Sequence, residues 1–254
     1  SRSDILKVLE NKYSTIGPIW VNQQMQWTNN IYQSFKDHNK FLIILYLIKK
    51  TLDFYSKNFI KLTFDEFYLN ETVEIENFSV VEVSNALGIP KESTRRKIVE
   101  LEKMGVIKRN DKKIIIDRSV YPFVKPIKSI ERMAHFLSML SKILVEEKIL
   151  LEKFESEDVE KILKNNFSHV WKLYYELQIP RLLRWKKFFK DLETWHIWAL
   201  CGVGKYIDSD SNDFFNDKNF DIITKKIFFS NVKKNNGINA MSISDITGIP
   251  RATV

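Results

Sequence analysis

Apolar residues recur at helical spacing along most of the chain, and this pattern predicts a mainly α-helical fold. We expect a helix break at Gly17-Pro18, and we place Pro180 in a first helical turn. The predicted helices cover residues 4–12, most of 19–57, 128–154, a stretch beginning at Ser156, 167–178 and 180–206. Two polar stretches interrupt them, a connection or partial helix at 63–77 and a loop at 208–218.

The pattern changes between residues 78 and 119, where two short helices joined by a tight turn are predicted. The first helix covers residues 80–87. Gly88-Ile89-Pro90 forms the turn, because Gly tolerates a positive φ and Pro favours the first turn of the next helix. The second helix covers residues 91–104 and ends at Gly105. Its inward-facing positions are Thr94, Ile98, Leu101 and Met104.

A β-hairpin is predicted directly after the second helix. Its strands are the β-rich runs at 106–109 and 112–116, and Asn110-Asp111 is the turn between them. The cations of this hairpin are Lys108, Arg109, Lys112 and Lys113. A hairpin with these charges can lie along the phosphates of a nucleic acid.

The second helix is suited to the major groove of DNA, where the N-terminal residues of such a helix reach base edges. The residues predicted to be exposed at this end are Lys91, Glu92, Ser93, Arg95 and Arg96. Arginine can form two hydrogen bonds with guanine, and Ser and Glu can distinguish donors from acceptors. These residues are therefore candidates for reading a DNA sequence.

The segment resembles the winged helix-turn-helix of bacterial transcription regulators of the MarR, IclR and GntR kind. The resemblance is carried by Leu87-Gly88-Ile89-Pro90, the run from Ser93 to Arg96, and Leu101 through Gly105-Val106-Ile107. It implies a helix-turn-helix at 79–105 and a wing at 106–118 that bind duplex DNA. Glu92 departs from the pattern, because many relatives carry a small or basic residue at this exposed position. A carboxylate there either reads a base or weakens binding.

A second Gly-Ile-Pro lies at 248–250, 160 residues after the first. Its neighbours Ile243, Ser244 and Arg251 match Val83, Ser84 and Lys91. A Phe-Lys-Asp triplet also occurs twice, at 35–37 and 189–191, each time before an apolar helix. Because the two motifs keep their order, we predict an internal duplication of about 15–118 and 167–254.

These motifs divide the chain into three predicted parts. They are N-terminal helices with the first winged helix-turn-helix (1–119), connecting helices (120–166), and a second helical unit ending in a truncated helix-turn-helix at 240–254 (167–254). Arg251 and Thr253 would begin the second reading helix, and we expect further residues after Val254. Two such heads in one chain could bind DNA as a pseudo-dimer with two unlike half-sites.

The predicted function is sequence-specific binding of double-stranded DNA in transcription regulation. A plasmid- or phage-type replication initiator, which also uses tandem winged helices, is one alternative. A scaffold whose winged helices bind only proteins is another. The net charge of +8 suits an anionic partner. The longest apolar run, at 41–48, is too short to span a bilayer, so we expect no membrane association and a cytoplasmic location.

Other kinds of site find little support in the sequence. The four histidines lack metal-ligand spacing and no catalytic or nucleotide-binding motif occurs, so we predict no enzyme, no metal and no cofactor. Cys201 is expected in the core. The aromatic residues between 171 and 198 predict core packing, with a small-molecule effector pocket as the alternative. A basic stretch either binds phosphates or is a solvated helix face, and comprises Arg181, Arg184, Lys186, Lys187 and Lys190.

Overall fold

The computed structural model describes residues 1–69, 71–76, 78–110, 113–119, 126–206 and 239–254. Within them the protein is mainly helical with a small three-stranded antiparallel sheet, as the apolar periodicity predicts for the fold class. The helices are α1 (Arg2–Asn11), α2 (Tyr13–Phe35), α3 (His38–Lys57), α4 (Phe64–Leu69), α5 (Val80–Leu87), α6 (Lys91–Lys103), α7 (Ile127–Glu146), α8 (Ser156–Asn165), α9 (Phe167–Phe189), α10 (Leu192–Tyr206) and α11 (Ala240–Thr247). The strands are β1 (Thr72–Ile75), β2 (Ile107–Asn110) and β3 (Lys113–Asp117).

The chain divides into two compact units, each made of segments that are distant in sequence. Unit 1 combines Ser1–Gln33, Ile127–Lys161 and Glu193–Val254. Unit 2 combines Ser34–Pro126 with Ile162–Leu192. Unit 2 therefore contains α3 to α6, all three strands and α9.

The apolar helix α3 is the centre of unit 2. Asp37 caps its N-terminus by accepting a hydrogen bond from the backbone N–H of Lys40 at 3.0 Å. Lys36, just before the cap, has a φ of 51°, which turns the chain out of α2 and into α3. α3 packs against α5, α6, β1 and α9. The resulting core is largely aromatic where α9 begins, because Phe167 contacts the rings of Phe64 and Phe67.

The sheet has the strand order β1-β3-β2, with both pairs antiparallel. The hairpin was predicted, but its strands lie one residue later than expected, and Asn110, predicted in the turn, ends β2 and pairs with Lys113. β1 was not predicted, because residues 63–77 were expected to be a connection or a partial helix. They contain the short helix α4, in agreement with the partial helix that was one of the two predictions, and the unpredicted strand β1. The signal for β1 is short: Val73 and Ile75 point inward and alternate with exposed Thr72 and Glu74. Pairing with β3 makes this four-residue run a strand.

Unit 1 has its own apolar core, to which α1, α2 and α7 contribute. It includes Val8, Ile16 and Phe136, and the Trp20 ring lies 5.3 Å from that of Phe136. α7 is shorter than the predicted helix at 128–154. It ends at Glu146, because Lys148 has a φ of 58° and the chain then turns back on the last helical turn.

Two prolines lie inside helices where breaks or starts were predicted. α2 runs through Gly17 and Pro18, and α9 runs through Pro180. An interior proline costs about 3 kcal/mol, because it removes a backbone donor. In α9 the burial of neighbouring Ile179 and Leu182 offsets that cost. Cys201 was also placed wrongly: it lies in α10 as expected but is exposed. The loop predicted at 208–218 lies outside the described residues.

Candidate nucleic-acid interface

The turn between α5 and α6 is held by hydrogen bonds on both sides. Gly88 ends α5 with a φ of 57° and its N–H donates to the Ser84 carbonyl. The Ile89 side chain is buried in the core. The Ile89 carbonyl accepts from two hydroxyls, Ser84 Oγ at 2.7 Å and Thr94 Oγ1 at 3.3 Å. The direction in which α6 leaves the turn is thereby fixed by side chains of both helices.

α6 has two sharply different faces. Its inward face carries Thr94, Ile98 and Leu101, all of which are 0% exposed. Met104, predicted to face inward with them, is half-buried. On the outward face, Lys91, Glu92, Arg95 and Arg96 are exposed, and Ser93 is half-buried. The residues predicted to read bases therefore share the N-terminal part of one helix.

An ion-pair network joins the middle of α6 to the start of α3. Lys97 Nζ lies 2.7 Å from Asp37 and 3.1 Å from Glu100, and Lys40 Nζ lies 3.0 Å from Glu100. Burial alone would raise the pKa of Glu100, but hydrogen bonds from Lys40 and Lys97 lower it below its ordinary value. Lys97 is thus a structural cation, although it directly follows Arg95 and Arg96.

Within the described residues, the ion pairs of the two arginines of α6 are long and lie within their own helix. Arg95 Nε lies 3.6 Å from Glu92, and Arg96 Nε lies 3.9 Å from Glu100. The Arg95 and Arg96 side chains are 66% and 69% exposed. Exposed pairs of this kind contribute roughly 0–1 kcal/mol, so both guanidinium groups can exchange these carboxylates for another acceptor.

The hairpin cations differ from one another more than their sequence suggests. Lys108 is exposed and has no ion pair within the described part of the chain. Arg109 pairs with Glu102 of α6 at 2.5 Å, and its backbone N–H donates to the same carboxylate. The hydrogen bond from Arg109 lowers the pKa of Glu102. Lys113 pairs with two carboxylates, that of Glu74 in β1 and that of Glu76 just after β1. Lys112 lies outside the described residues.

Sequence reasoning missed one feature of this site. Lys186 of α9 donates from Nζ to the carbonyl oxygens of Leu87 at 3.3 Å and Gly88 at 3.2 Å. These carbonyls lie at the end of α5 and have no partner within the helix, so the lysine satisfies them. Its positive charge also interacts favourably with the negative end of the α5 dipole. Lys186 is 98 residues from Gly88, so no local pattern could have indicated the contact.

The second Gly-Ile-Pro forms a turn like the first. Asn239 caps α11, Gly248 ends it with a φ of 71°, and the Gly248 N–H donates to the carbonyl of Ser244. Ile249 is buried. The backbone N–H of Val254 donates to the carbonyl of Pro250 at 3.3 Å, as that of Thr94, 160 residues earlier, donates to the carbonyl of Pro90 at 2.8 Å.

Arg251 and Thr253, the predicted second readers, are both exposed just after this turn. α2 covers the end of α11, because Asn29 Nδ2 and Gln33 Nε2 donate to the carbonyl of Ile246 at 3.1 Å and 3.5 Å. These contacts within unit 1, like the one from Lys186, join residues far apart in sequence.

The aromatic residues that suggested core packing or an effector pocket differ in burial, and three of them are in the core. Trp171 and Tyr174 are buried in unit 2, where the Trp171 ring stacks on that of Phe167 at 5.1 Å. Trp195 is buried, whereas Trp198 is exposed. Among the described residues, no three His, Cys, Asp or Glu side chains are grouped so that they could hold a metal.

The helices of the described residues include none with both the length and the apolar character needed to cross a membrane. Comparisons with protein-family models, with curated proteins and with solved structures found no match to this chain. Function is therefore inferred from the residues and their geometry alone.

Proposed function

We propose that this protein binds double-stranded DNA in a sequence-specific manner and regulates transcription. In this proposal α5, the turn at Gly88 and α6 form a helix-turn-helix, and β2 and β3 form its wing. α6 enters the major groove, where Arg95 and Arg96 meet base edges. Among the wing cations that the structure describes, Lys108 is the best placed to bind a phosphate, because Arg109 and Lys113 already pair with carboxylates.

The division of α6 into a buried and a cationic face carries this proposal. Packing alone gives no reason for an exposed cation in the first turn, because Lys91 stands at the positive end of the helix dipole. A polyanion that docks on this end would remove that repulsion. Arg95 and Arg96 supply planar groups that can each donate two parallel hydrogen bonds, which suit the paired acceptors of guanine.

The repeated helix lengths support an internal duplication. α1 and α8 both have 10 residues, α2 and α9 both have 23, and α5 and α11 both have 8. The first two pairs are offset by 154 residues and the third by 160. α3 and α10 also begin 154 residues apart, each after a lysine with a positive φ, Lys36 or Lys190.

The residues of α1 and α2 recur at the same offset in α8 and α9. The identical pairs include Asp4 and Asp158, Lys7 and Lys161, Leu9 and Leu163, Asn11 and Asn165, and Gln24 and Gln178. We infer that the repeat begins near residues 2 and 156, earlier than the Phe-Lys-Asp and Gly-Ile-Pro motifs indicate. In this duplication each unit combines its helix-turn segment with the long helix of the other copy, α9 in unit 2 and α2 in unit 1.

Two copies in one chain give the protein two DNA-reading ends. Arg95 and Arg96 serve the end in unit 2, and Arg251 and Thr253 begin the end in unit 1. Glu92 stands in the first copy where Ala252 stands in the second, so the two ends would prefer different bases. The expected target is a site with two unlike half-sites.

Selection of bound sequences from random duplex DNA at low salt tests the proposal. We expect one asymmetric site to be enriched. The Arg95→Ala/Arg96→Ala variant should then lose protection of one half-site in a footprint and keep the other. Removal of two guanidinium groups that each bind a base in a bidentate way predicts an affinity decrease of about tenfold or more.

Lys57→Ala/Lys61→Ala is a matched control that removes two exposed cations from the same unit. Lys57 lies at the far end of α3, about 30 Å from the N-terminus that contacts α6, so this variant should bind as the wild type does. Absence of enrichment at low salt would contradict DNA binding and favour the protein scaffold. Enriched direct repeats whose duplex opens on binding would favour a replication initiator over a transcription regulator.

A further inference from the structure

The basic stretch at the end of α9 is the most strongly charged segment that the proposed reading helix does not use. Five cations fall between residues 181 and 190, and no carboxylate occurs between Glu176 and Asp191. The sequence alone leaves two roles open for them, phosphate binding or a solvated face. The positions of these cations in unit 2 favour phosphate binding.

Lys186 fixes where this stretch lies. Its ammonium group contacts the carbonyls of Leu87 and Gly88, at the turn that leads into α6. The end of α9 is thereby held beside the turn, two residues before Pro90 and the start of the reading helix. In helix-turn-helix complexes the elements beside the reading helix meet the DNA backbone.

The exposed cations of the stretch are Arg184, Lys187 and Lys190. Arg184 and Lys187 are three residues apart, so they are neighbours on the surface of α9. Lys187 directly follows Lys186, and Lys190 ends the helix one turn later. None of the three has an ion pair within the described part of the chain, so no carboxylate there neutralises them.

The corresponding stretch of α2 is nearly neutral. At the offset of 154 residues, Asn30 stands opposite Arg184 and Gln33 opposite Lys187. α2 also contacts a helix end, but through the amides of Asn29 and Gln33, which donate to Ile246 of α11. Both long helices therefore contact a helix-turn segment, and only α9 brings a cluster of positive charge to it.

We propose that Arg184, Lys187 and Lys190 form a second DNA-contacting element, which binds backbone phosphates next to the α5–α6 turn. The inference rests on the proposed function and adds a sequence-independent anchor to it. It also makes unit 2 the stronger of the two DNA-binding ends, because α2 has Asn30 and Gln33 where α9 has Arg184 and Lys187. The ligand is the phosphodiester backbone of duplex DNA, and base identity does not affect this contact.

The test replaces Arg184 and Lys187 by the residues of the other copy, in Arg184→Asn/Lys187→Gln. This variant keeps Lys186 and so keeps the hydrogen bonds that position α9. We expect its affinity to fall by a similar factor, roughly tenfold, for the selected site and for random duplex DNA. The slope of log affinity against log salt should become shallower by about two, since each phosphate that a cation neutralises adds about 0.9 to the slope. The base preferences found by selection should not change.

A measurement on the unaltered protein guards against misfolding of the variant. Acetylation of lysines with and without duplex DNA should show protection of Lys187 and Lys190, whereas Lys57 should react equally in both samples. Phosphate ethylation should identify backbone positions that the wild type needs and the variant does not.

The outcomes separate this inference from the proposed function. An unchanged salt slope in Arg184→Asn/Lys187→Gln, or no protection of Lys187, would overturn the anchor while leaving DNA binding by α6 intact. If Arg184→Asn/Lys187→Gln has the same salt slope as the wild type, and Arg95→Ala/Arg96→Ala binds DNA more weakly, recognition would be assigned to α6 alone. No DNA binding by the wild type at low salt would overturn the proposed function and the anchor with it.

Discussion

Lys97 Nζ lies 2.7 Å from a carboxylate oxygen of Asp37, the residue that caps the N-terminus of α3. Asp37 thus caps α3 and also forms an ion pair with α6, to which Lys97 belongs. Both side chains are largely shielded from solvent, at 17% and 18% exposed. The Phe-Lys-Asp triplet therefore has a physical role: Lys36 turns the chain, and Asp37 fixes α3 relative to the proposed reading helix.

The pair should contribute to the stability of unit 2. We expect Lys97→Met and Asp37→Asn each to be destabilised, with a coupling of about 1 kcal/mol in a double-mutant cycle. Asparagine still caps a helix, so Asp37→Asn removes the charge and keeps the cap. Urea unfolding of the wild type, both single variants and the double variant measures the coupling. Strictly additive losses would show that the ion pair contributes nothing.

Gly88 should be hard to replace for conformational reasons. A Cβ at this position would meet nothing within 4 Å, so sterics with neighbours are not the obstacle. Its φ of 57° is the obstacle, because an L-residue in this region costs roughly 1–2 kcal/mol. Gly88→Ala should lower the free energy of unfolding by about that amount, and Gly88→Asn by less, since Asn tolerates this region better. Equal losses in the two variants would point to a different cause.

Glu92 should weaken DNA binding through its charge. Its carboxylate is exposed beside Arg95 and would face phosphates in the proposed complex. Glu92→Gln should therefore raise affinity for random duplex DNA severalfold, while the exposed control Glu152→Gln should leave it unchanged. Titration of labelled duplexes at several salt concentrations measures both. A decrease in affinity for the selected site would indicate that Glu92 reads a base.

His38 should make the protein less stable in mild acid. It is buried, and desolvation lowers its pKa to about 4, although the carboxylates of Asp37 and Asp191 oppose the shift. Between pH 6.5 and about 4, His38 is protonated in the unfolded chain but stays neutral in the folded chain. Folding stability is therefore lost as the pH falls through this range, by about 3 kcal/mol at most.

His38→Leu should flatten this pH dependence, and Leu192 at the matching position of the second copy shows that leucine is accepted in such a place. Urea unfolding midpoints measured from pH 5 to pH 7.5 make the comparison. At lower pH, from the ordinary Glu pKa down through the lowered pKa of Glu100, the unfolded chain binds protons that the folded chain does not, and this destabilises both proteins. Parallel curves for wild type and variant above pH 5 would exclude His38 as the source.

Local patterns were sufficient to predict much of the first candidate site. The bounds of α5, the turn at Gly88 and the inward face of α6 follow from residues close in sequence, because capping and helical periodicity act within a few residues. The strands of the hairpin were predictable for the same reason. β1 was missed, because its four residues become a strand only when they pair with β3, about forty residues later.

The charges of the site were less predictable than its backbone. A cation in the sequence says nothing about its partner, and Lys97, Arg109 and Lys113 find carboxylates on other elements of the fold. Lys108, Arg95 and Arg96 have no comparably close ion pair with any residue that the structure describes. Whether a cation is paired depends on its distance from carboxylates on other elements, because the energy of an ion pair depends on a few ångströms of separation. The sequence does not contain these distances.

The sequence by itself determined that this protein is mainly helical, that α6 has an apolar and a cationic face, and that a Gly-Ile-Pro turn occurs twice. Only the tertiary structure decided that α9 packs on α3 and that Lys186 reaches the turn at Gly88. The apolar face of a helix can be buried against many partners, and the spacing of its apolar residues does not specify which partner it packs against. The choice depends on the fit of whole surfaces from distant segments, which no local stretch of sequence contains.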